Sequence, residues 1–300
     1  MPASLLTLIK GLRPHFLVLP LVVMAVVMAA ASYEGYRWSG YLMWIIALAA
    51  VAAHISVNLF NEAEDAASGL DDLTVRTPFS GGSGALQAYP QYWPWVAGFG
   101  YFFLGMVLVL GLFLIHLRGL AILYLGLLGV MLIVGYSRHI TRMPWLSLVA
   151  PGLAFGPIML IGGYFALTGS TSLMVFSVSL LVFLLVNNLL LLNQFPDAEA
   201  DKSVGRLNWV IEKGKPASAR LFRLNLALAY GLLAGLIGLQ ILPVQAALGF
   251  VTLLLAWPLQ VGVKKHYNEL QQKPSLLALN VAVVLLTPAL IAMGLFLATP

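Results

Sequence analysis

Long stretches without a single charged residue dominate the sequence and constrain its fold more than any other feature. Asp, Glu, Lys and Arg are missing from seven stretches, at 14–33, 38–61, 77–117, 119–137, 143–196, 224–263 and 274–300. A helix needs about 20 mostly apolar residues to cross a bilayer. Hydrophobic residues form 61% of the chain and charged residues only 9%, which is too few to cover a soluble domain or to keep a chain disordered. The sequence therefore predicts an integral membrane protein.

Three of these stretches are too long for one crossing and contain residues that interrupt helices. The stretch 77–117 begins with a segment rich in Gly, Ser and Pro at 78–90, the stretch 143–196 is broken at 168–172, and the stretch 224–263 is broken at Pro243. These breaks give nine predicted spans in one domain that covers residues 1–300. Continuous apolar runs without strict alternation indicate helices and not a β-barrel. We expect an all-α bundle of nine transmembrane helices.

The basic residues predict how the bundle is oriented. With a cytoplasmic N-terminus, all 16 Lys and Arg residues except Arg37 and Arg118 face inwards. Such a bias is the rule for cytoplasmic loops, so the net charge of +5 reflects membrane topology, and no nucleic-acid partner is expected. All acidic residues except Glu34 lie on the same inner side. We therefore expect the chemistry of the protein at its cytoplasmic face, and the absence of Cys excludes thiolate chemistry there.

Two clusters of acidic residues follow the second and the sixth predicted spans. The clusters contain Glu62, Glu64, Asp65, Asp71 and Asp72, and then Asp197, Glu199 and Asp201. In each cluster, intervals of three or four residues place Asn and Asp side chains on one helical face. These two rows are Asn58, Asn61 and Asp65, and Asn193, Asp197 and Asp201. Both helices thus present polar rows at the same depth.

Carboxylates that converge in this way repel one another, so the pattern predicts a bound cation. Oxygen ligands from Asp and Asn suit Mg²⁺ or another hard ion, which usually shares its shell with water and phosphate oxygens. Arg76 follows the first cluster, and Lys202 and Arg206 follow the second. Bases beside acids suit a diphosphate that is held through metal bridges and charge-assisted hydrogen bonds. The Gly-rich segment 78–84 is placed to offer backbone N–H groups to the same anion.

Other functions fit parts of this pattern. Acids beyond membrane helices are ordinarily solvated loop charges, but two clusters with matching spacing on one side argue against that interpretation. A cation or proton transporter uses intramembrane carboxylates, yet these acids lie at one face and have bases beside them. A catalytically silent lipid-binding scaffold would tolerate the loss of Asp65 or Asp201, and both are present. Asn187 and Asn188 lie within a span, where they either form hydrogen bonds between helices or belong to a pocket.

The acidic clusters resemble the two signature motifs of the UbiA superfamily of intramembrane prenyltransferases. The first motif reads Asn61-Glu62-Ala63-Glu64-Asp65 and then Gly69-Leu70-Asp71, and Glu62 stands where the family has Asp. The second motif consists of Asp197, Asp201, Lys202 and Gly205, and Asn193 precedes it. Arg13-Pro14 before the first span and the segment 136–142 after the fourth resemble further family elements. The resemblance covers nearly the whole chain, and it implies a UbiA-type bundle with an active site that faces the cytoplasm.

The resemblance implies Mg²⁺-dependent transfer of a polyprenyl group from an allylic diphosphate to an aromatic acceptor. The Gly-x-Asp ending of the first motif, together with Gly156-Pro157 and Gly162-Gly163-Tyr164, looks most like the 1,4-dihydroxy-2-naphthoate polyprenyltransferases of menaquinone synthesis. Another acceptor, such as 4-hydroxybenzoate or another quinone or lipid precursor, is the alternative. The implied partners are polyprenyl diphosphate, the aromatic acceptor and the lipid bilayer of a bacterial or archaeal cell. Nothing in the sequence indicates an oligomeric state.

The same resemblance assigns roles to individual residues. The implied catalytic residues are Asp65, Asp71, Asp197 and Asp201, which together with Asn61 are also the implied metal ligands. The implied substrate-binding residues are Asn58, Asn61, Arg76, Tyr136, Arg138, Arg142, Asn193 and Lys202. Of these, Arg138 and Arg142 either pair with an acceptor carboxylate or anchor the loop at the membrane. Tyr136 and Tyr164 are candidates for shielding an allylic cation. Glu62 either reaches the metal or lies behind its ligands.

Overall fold

The computed structural model describes residues 3–74, 76 and 81–299, and this part of the chain contains helices and loops but no strand. Ten main helices account for most of the described residues. They are α1 (Ala3–Leu12), α2 (Pro14–Tyr33), α3 (Gly40–Ser68), α4 (Pro90–Arg118), α5 (Leu120–Gly135), α6 (Pro144–Thr168), α7 (Leu173–Ser203), α8 (Lys215–Gly238), α9 (Val244–His266) and α10 (Pro274–Ala298). The all-helical architecture predicted from the apolar stretches is confirmed.

Eight of the described helices are long and apolar enough to cross a membrane, namely α2 to α4 and α6 to α10. The remaining apolar helix, α5, has only 16 residues. At 1.5 Å per residue it spans about 24 Å, which is shorter than the roughly 30 Å hydrocarbon core of a bilayer. The expectation of nine spans therefore stays a prediction, and so does the cytoplasmic position of the N-terminus.

Helix α7 lies at the centre of the bundle, and two asparagines tie it to its neighbours. It packs against α6, α8 and α10. The Asn187 side-chain oxygen accepts a hydrogen bond of 2.8 Å from the backbone N–H of Gly152 in α6, and the Asn188 amide donates one of 2.8 Å to the Phe222 carbonyl in α8. Asn280 of α10 in turn donates to the Asn188 carbonyl. Both asparagines therefore join helices inside the apolar bundle, which confirms the first of the two interpretations.

Helix α6 is irregular where it faces the interior. Its segment Ala154–Ile161 is wound as a π-helix and contains Pro157, whose missing N–H interrupts the regular hydrogen-bond ladder. Gly156 lets the backbones of α6 and α7 touch, because a Cβ at this position would collide with the Ser179 carbonyl. The wide turn brings Phe155 and Ile158 to the wall of an internal cavity.

Helix α3 is held against α4 by close backbone packing. Ser56 donates a hydrogen bond of 2.9 Å to the Gly100 carbonyl, and the Phe60 ring covers Gly100 so closely that a Cβ there would lie 2.8 Å from it. A small apolar core of Ile55, Leu59, Ala63, Leu86 and Val96 fills the same side of α3. These contacts fix the rotation of α3, so that its polar row faces α7.

Candidate active site

A polar cavity of about 190 Å³ lies at one end of the bundle, between α2, α3, α7 and the loops beside them. Two thirds of the predicted site residues line it, and apart from Tyr136 they come from the two acidic clusters and their polar rows. These residues are Asn58, Asn61, Asp65, Asp71, Tyr136, Asn193, Asp197 and Asp201. Helical spacing therefore brings together side chains that are far apart in the sequence. Their individual roles stay predictions.

Arg206 joins the two acidic helices at this cavity. Its guanidinium group forms an ion pair with Asp65 of α3, and its Nη1 lies 3.3 Å from an oxygen of Asp201 in α7. The Asn208 amide donates a hydrogen bond of 2.8 Å to the second Asp201 oxygen. Burial alone would lower the pKa of Arg206, but the charges of Asp65 and Asp201 outweigh burial and raise this pKa above its ordinary value. The arginine therefore stays charged between two buried carboxylates.

The end of α7 explains why Arg206, and not Lys202, reaches the acids. The chain reverses at Gly205, which has a φ of +77°, and the backbone N–H of Arg206 then donates to the Asp201 carbonyl over 3.0 Å. Lys202 follows Asp201 directly on the helix, about 100° around its axis, and is exposed. Sequence reasoning noticed Arg206 but left it out of the site. The glycine before it is the signal that could have placed it there.

Glu62 ties three segments together on the other side of the cavity. Its buried carboxylate accepts hydrogen bonds from Arg13 at 3.2 Å, from the backbone N–H of Ser83 at 3.2 Å and from the Ser83 hydroxyl. Arg13 also lines the cavity, with a left-handed φ of 49° at the turn between α1 and α2. Of the two positions considered for Glu62, the structure shows the one behind the cavity wall. Arg13 is a second basic residue that was missed as a site residue.

Asp71 lies against the glycine-rich loop. It is buried, accepts a hydrogen bond of 3.2 Å from the Gln87 side chain, and touches Gly82. Burial, followed by the charges of Asp65 and Glu62, raises the pKa of Asp71 to about 7. Gly81 and Gly82 line the cavity as expected of this loop, whereas Pro78, Phe79 and Ser80 of the predicted segment lie outside the described residues.

Four predicted substrate-binding residues do not line the cavity. Arg76, Arg138, Arg142 and Lys202 all have exposed side chains. Arg138 forms an ion pair of 3.3 Å with Glu64 on the surface, and Arg76 lies beside Gly84. These side chains are therefore open to solvent beside the cavity, and their roles in substrate binding stay predictions. Tyr164 also departs from expectation, because it lies at the opposite end of the bundle, where its hydroxyl donates to Glu34.

An apolar cavity of about 290 Å³ continues from the polar one into the bundle. It runs between α3, α4, α5 and α6, along α3 from Asn61 to Ile46. Asn61 and Ile46 are 15 positions apart, which corresponds to about 22 Å of helix. Six residues line both cavities, namely His54, Asn58, Asn61, Tyr136, Phe155 and Leu190. The shared residues make the two cavities neighbours, one with charged walls and the other with apolar walls.

The oxygen atoms around the polar cavity fit a hard divalent cation. Within the described ranges, no three Asp, Glu or His side chains are close enough to form a ready-made metal site, since Arg206 lies between two of the acids. However, four aspartates line the cavity, and the side-chain oxygens of Asn193 and Gln194 are buried there without a hydrogen-bond partner in the part of the chain that is described. Mg²⁺ prefers such oxygen ligands and keeps several positions for water or phosphate.

The sequence and the fold are both similar to those of known membrane proteins. The sequence model of the UbiA prenyltransferase family matches residues 17–282. No curated protein matches the sequence significantly. A UbiA homologue from Aeropyrum pernix K1 in its apo form superposes with a TM-score of 0.68 at 18% identity, covering 93% of this chain and 97% of that one.

Two further solved structures share the fold. A UbiA homologue from Archaeoglobus fulgidus bound to GPP and Mg²⁺ gives a TM-score of 0.64 at 14% identity, over 97% of this chain and 99% of that one. A structure described as digeranylgeranylglyceryl phosphate synthase gives 0.61 at 15% identity, over 99% of both chains. At these identities, the similarity establishes a common fold.

Replacing Gly82 with Ala should disturb the acidic site by displacing Asp71. An added Cβ would collide with the Asp71 carboxylate, and the φ of +72° would add backbone strain. We expect Mg²⁺ affinity, measured by titration calorimetry with inorganic diphosphate present, to fall by about tenfold, the scale of outer-shell changes at metal sites. Gly35→Ala is the control, since Gly35 has a φ of +78° with nothing within 4 Å. Equal affinities of the two variants would contradict the assignment.

Proposed function

The chain belongs to the UbiA prenyltransferase family, and on this premise we propose that it transfers a polyprenyl group from an allylic diphosphate to an aromatic acceptor with the help of Mg²⁺. The observation that carries this proposal is that a polar cavity lined by acids adjoins an apolar cavity. The two cavities share lining residues. An allylic diphosphate has the same division into a charged head and a hydrocarbon chain. A transporter of cations has no need for the apolar half.

The polar cavity is suited to the diphosphate. We assign Mg²⁺ binding to the aspartates of both clusters, with the amide oxygens completing the set. These ligands are Asn61, Asp65, Asp71, Asn193, Asp197 and Asp201. When bound, the ion neutralises charge on the departing diphosphate. Arg13 and Arg206 line the same cavity and supply hydrogen-bond donors for phosphate oxygens. The Archaeoglobus fulgidus homologue, which binds GPP or DMAPP together with Mg²⁺, supports this assignment.

Tyr136 and Phe155 line both cavities, and their rings are placed to shield a reactive carbon from water. In the reaction, the bond between the first prenyl carbon and the diphosphate oxygen breaks, and the bonding electrons leave with the diphosphate. The acceptor ring then forms a carbon–carbon bond with the allylic cation and loses a proton. Aromatic walls exclude water from the cation and present their negative faces to it.

The acceptor we propose is 1,4-dihydroxy-2-naphthoate, which places the protein in menaquinone biosynthesis. With this acceptor, the carboxylate leaves the ring as CO₂ during the transfer, in place of the ring proton. The alternative is 4-hydroxybenzoate or another quinone or lipid precursor. Purified protein with labelled geranylgeranyl diphosphate and a panel of acceptors tests both. Prenylation of the naphthoate alone supports the first choice, and prenylation of another acceptor alone replaces it.

The active site is proposed to face the cytoplasm of a bacterial or archaeal cell. Introduced cysteines can test this, because the chain has no native Cys. Ser203 and Arg37 are both exposed, at opposite ends of the bundle. In sealed cells, an impermeant thiol reagent should label Arg37→Cys and leave Ser203→Cys unlabelled until the cells are opened. The reverse pattern would place the site outside.

The metal assignment predicts that chelation abolishes transfer and that each buried acid is essential. Asp65→Asn and Asp201→Asn should each lower kcat/KM by at least about a hundredfold, the scale of removing a preorganised electrostatic group. Asp72→Asn is the matched control, because Asp72 is exposed beside the buried Asp71. It should retain activity close to that of the unchanged enzyme. Full activity in EDTA would overturn the role of the metal.

The apolar cavity predicts a limit on prenyl chain length that one glycine controls. Gly111 lines this cavity seven residues before Arg118, at the end remote from the acids, and its missing Cβ faces open space. We expect Gly111→Phe to lower kcat/KM for geranylgeranyl diphosphate by about tenfold or more while sparing dimethylallyl diphosphate, since a filled hydrophobic pocket rejects extra carbons. Gly98→Phe, at an exposed position of the same helix, should change neither. Equal losses of kcat/KM with both donors would show that the prenyl group does not bind in this cavity.

A further inference from the structure

His54 continues the polar row of α3 towards the centre of the bundle. The row runs Asp65, Asn61, Asn58 and His54, at intervals of four, three and four residues. His54 therefore lies on the same face as the acids, about 10 Å along the helix from Asn61. It lines both the polar and the apolar cavity. Its imidazole thus lies at the boundary between the two.

The imidazole of His54 has no hydrogen-bond partner among the residues that the structure describes. Both ring nitrogens are buried, and none of the described residues donates to them or accepts from them. The other members of the row differ, because Asn58 donates to the Leu12 carbonyl over 3.1 Å and Asn61 accepts from the Ser137 hydroxyl. The only ring packed on His54 among the described residues is that of Phe155, in an edge-on contact of 5.1 Å between ring centroids. Buried polar atoms are rarely left unsatisfied, so an unpaired histidine in a ligand cavity points to a polar group of the ligand.

The chemistry of the two substrates decides which one supplies that group. If the diphosphate binds at the carboxylates and the prenyl chain fills the apolar cavity, the reacting carbon lies near the boundary, where His54 is. The prenyl chain is a hydrocarbon and offers His54 no hydrogen bond. A hydroxyl on an aromatic acceptor offers both a donor and an acceptor, and neutral imidazole provides the complementary pair on its two ring nitrogens.

We propose that His54 binds a hydroxyl group of the aromatic acceptor and thereby orients the ring towards the reacting carbon of the prenyl donor. This assignment rests on the proposed function of the cavity. It deepens that function by naming the feature of the acceptor that the protein recognises, a ring hydroxyl close to the carbon that is prenylated. It also gives a role to an imidazole that borders the apolar cavity.

The test compares 1,4-dihydroxy-2-naphthoate with its 1-O-methyl ether in the unchanged enzyme, in His54→Leu and in His54→Gln. The methylated oxygen cannot donate a hydrogen bond, so the unchanged enzyme should favour the hydroxyl compound by about tenfold or more, which is the size of one hydrogen bond. His54→Leu should raise KM for the hydroxyl compound by a similar factor and lose the preference, with KM for the allylic diphosphate unchanged. His54→Gln keeps a donor and an acceptor and should restore part of the preference.

Two controls separate this role from a structural one. Leu190 also lines both cavities, and Leu190→Ala should alter rates without changing the preference for the hydroxyl. If His54→Leu unfolds in detergent, the comparison of His54→Gln with His54→Ala carries the test. A preference that survives in every folded His54 variant overturns the assignment of His54 alone. An unchanged enzyme that prenylates no aromatic acceptor overturns the proposed function, and the assignment falls with it.

Discussion

The ion pairs of Arg206 with Asp65 and Asp201 are the interactions on which the site depends. Two helices direct carboxylates at each other in a buried region, where repulsion between like charges is much stronger than in water. One guanidinium group from the turn after α7 offsets this repulsion and joins the helices. The acids therefore remain close enough to act on one ligand, and a cation that binds there shares them with the arginine.

Much of the fold and part of the site could be predicted because they depend on local rules. The length of apolar runs gives membrane helices, and intervals of three and four residues place Asn58, Asn61 and Asp65 on one face. Arg13 and Arg206 were missed because their positions depend on chain reversals, a left-handed φ at Arg13 itself and Gly205 before Arg206. Arg138 and Lys202 were assigned to the site from the family resemblance, which does not predict that their side chains are exposed and that Arg138 pairs with Glu64.

The role of His54 could not be predicted from the sequence pattern either. A lone histidine within an apolar span resembles any buried residue until its surroundings are known. Its significance comes from what is missing around it, a partner for either ring nitrogen among the described residues, and from its place where two cavities meet. Neither fact is encoded in the spacing of α3. The position of Glu62, which replaces Asp in the first motif, could not be predicted either. Only its contacts with Arg13 and Ser83 show that it lies behind the cavity wall.

The apolar cavity has a consequence for a protein that lies in a bilayer. Apolar side chains gain dispersion contacts from hydrocarbon beside them, and an apolar cavity does not favour water. The surrounding bilayer is an abundant source of hydrocarbon, so the acyl chains of its lipids can make the same contacts as a prenyl chain. The prenyl donor then competes with the membrane itself for the same space, and its diphosphate gives it the advantage. Apparent affinity for the donor becomes a property of the protein and its lipids together, and the lipid composition of the membrane sets part of the enzyme's selectivity.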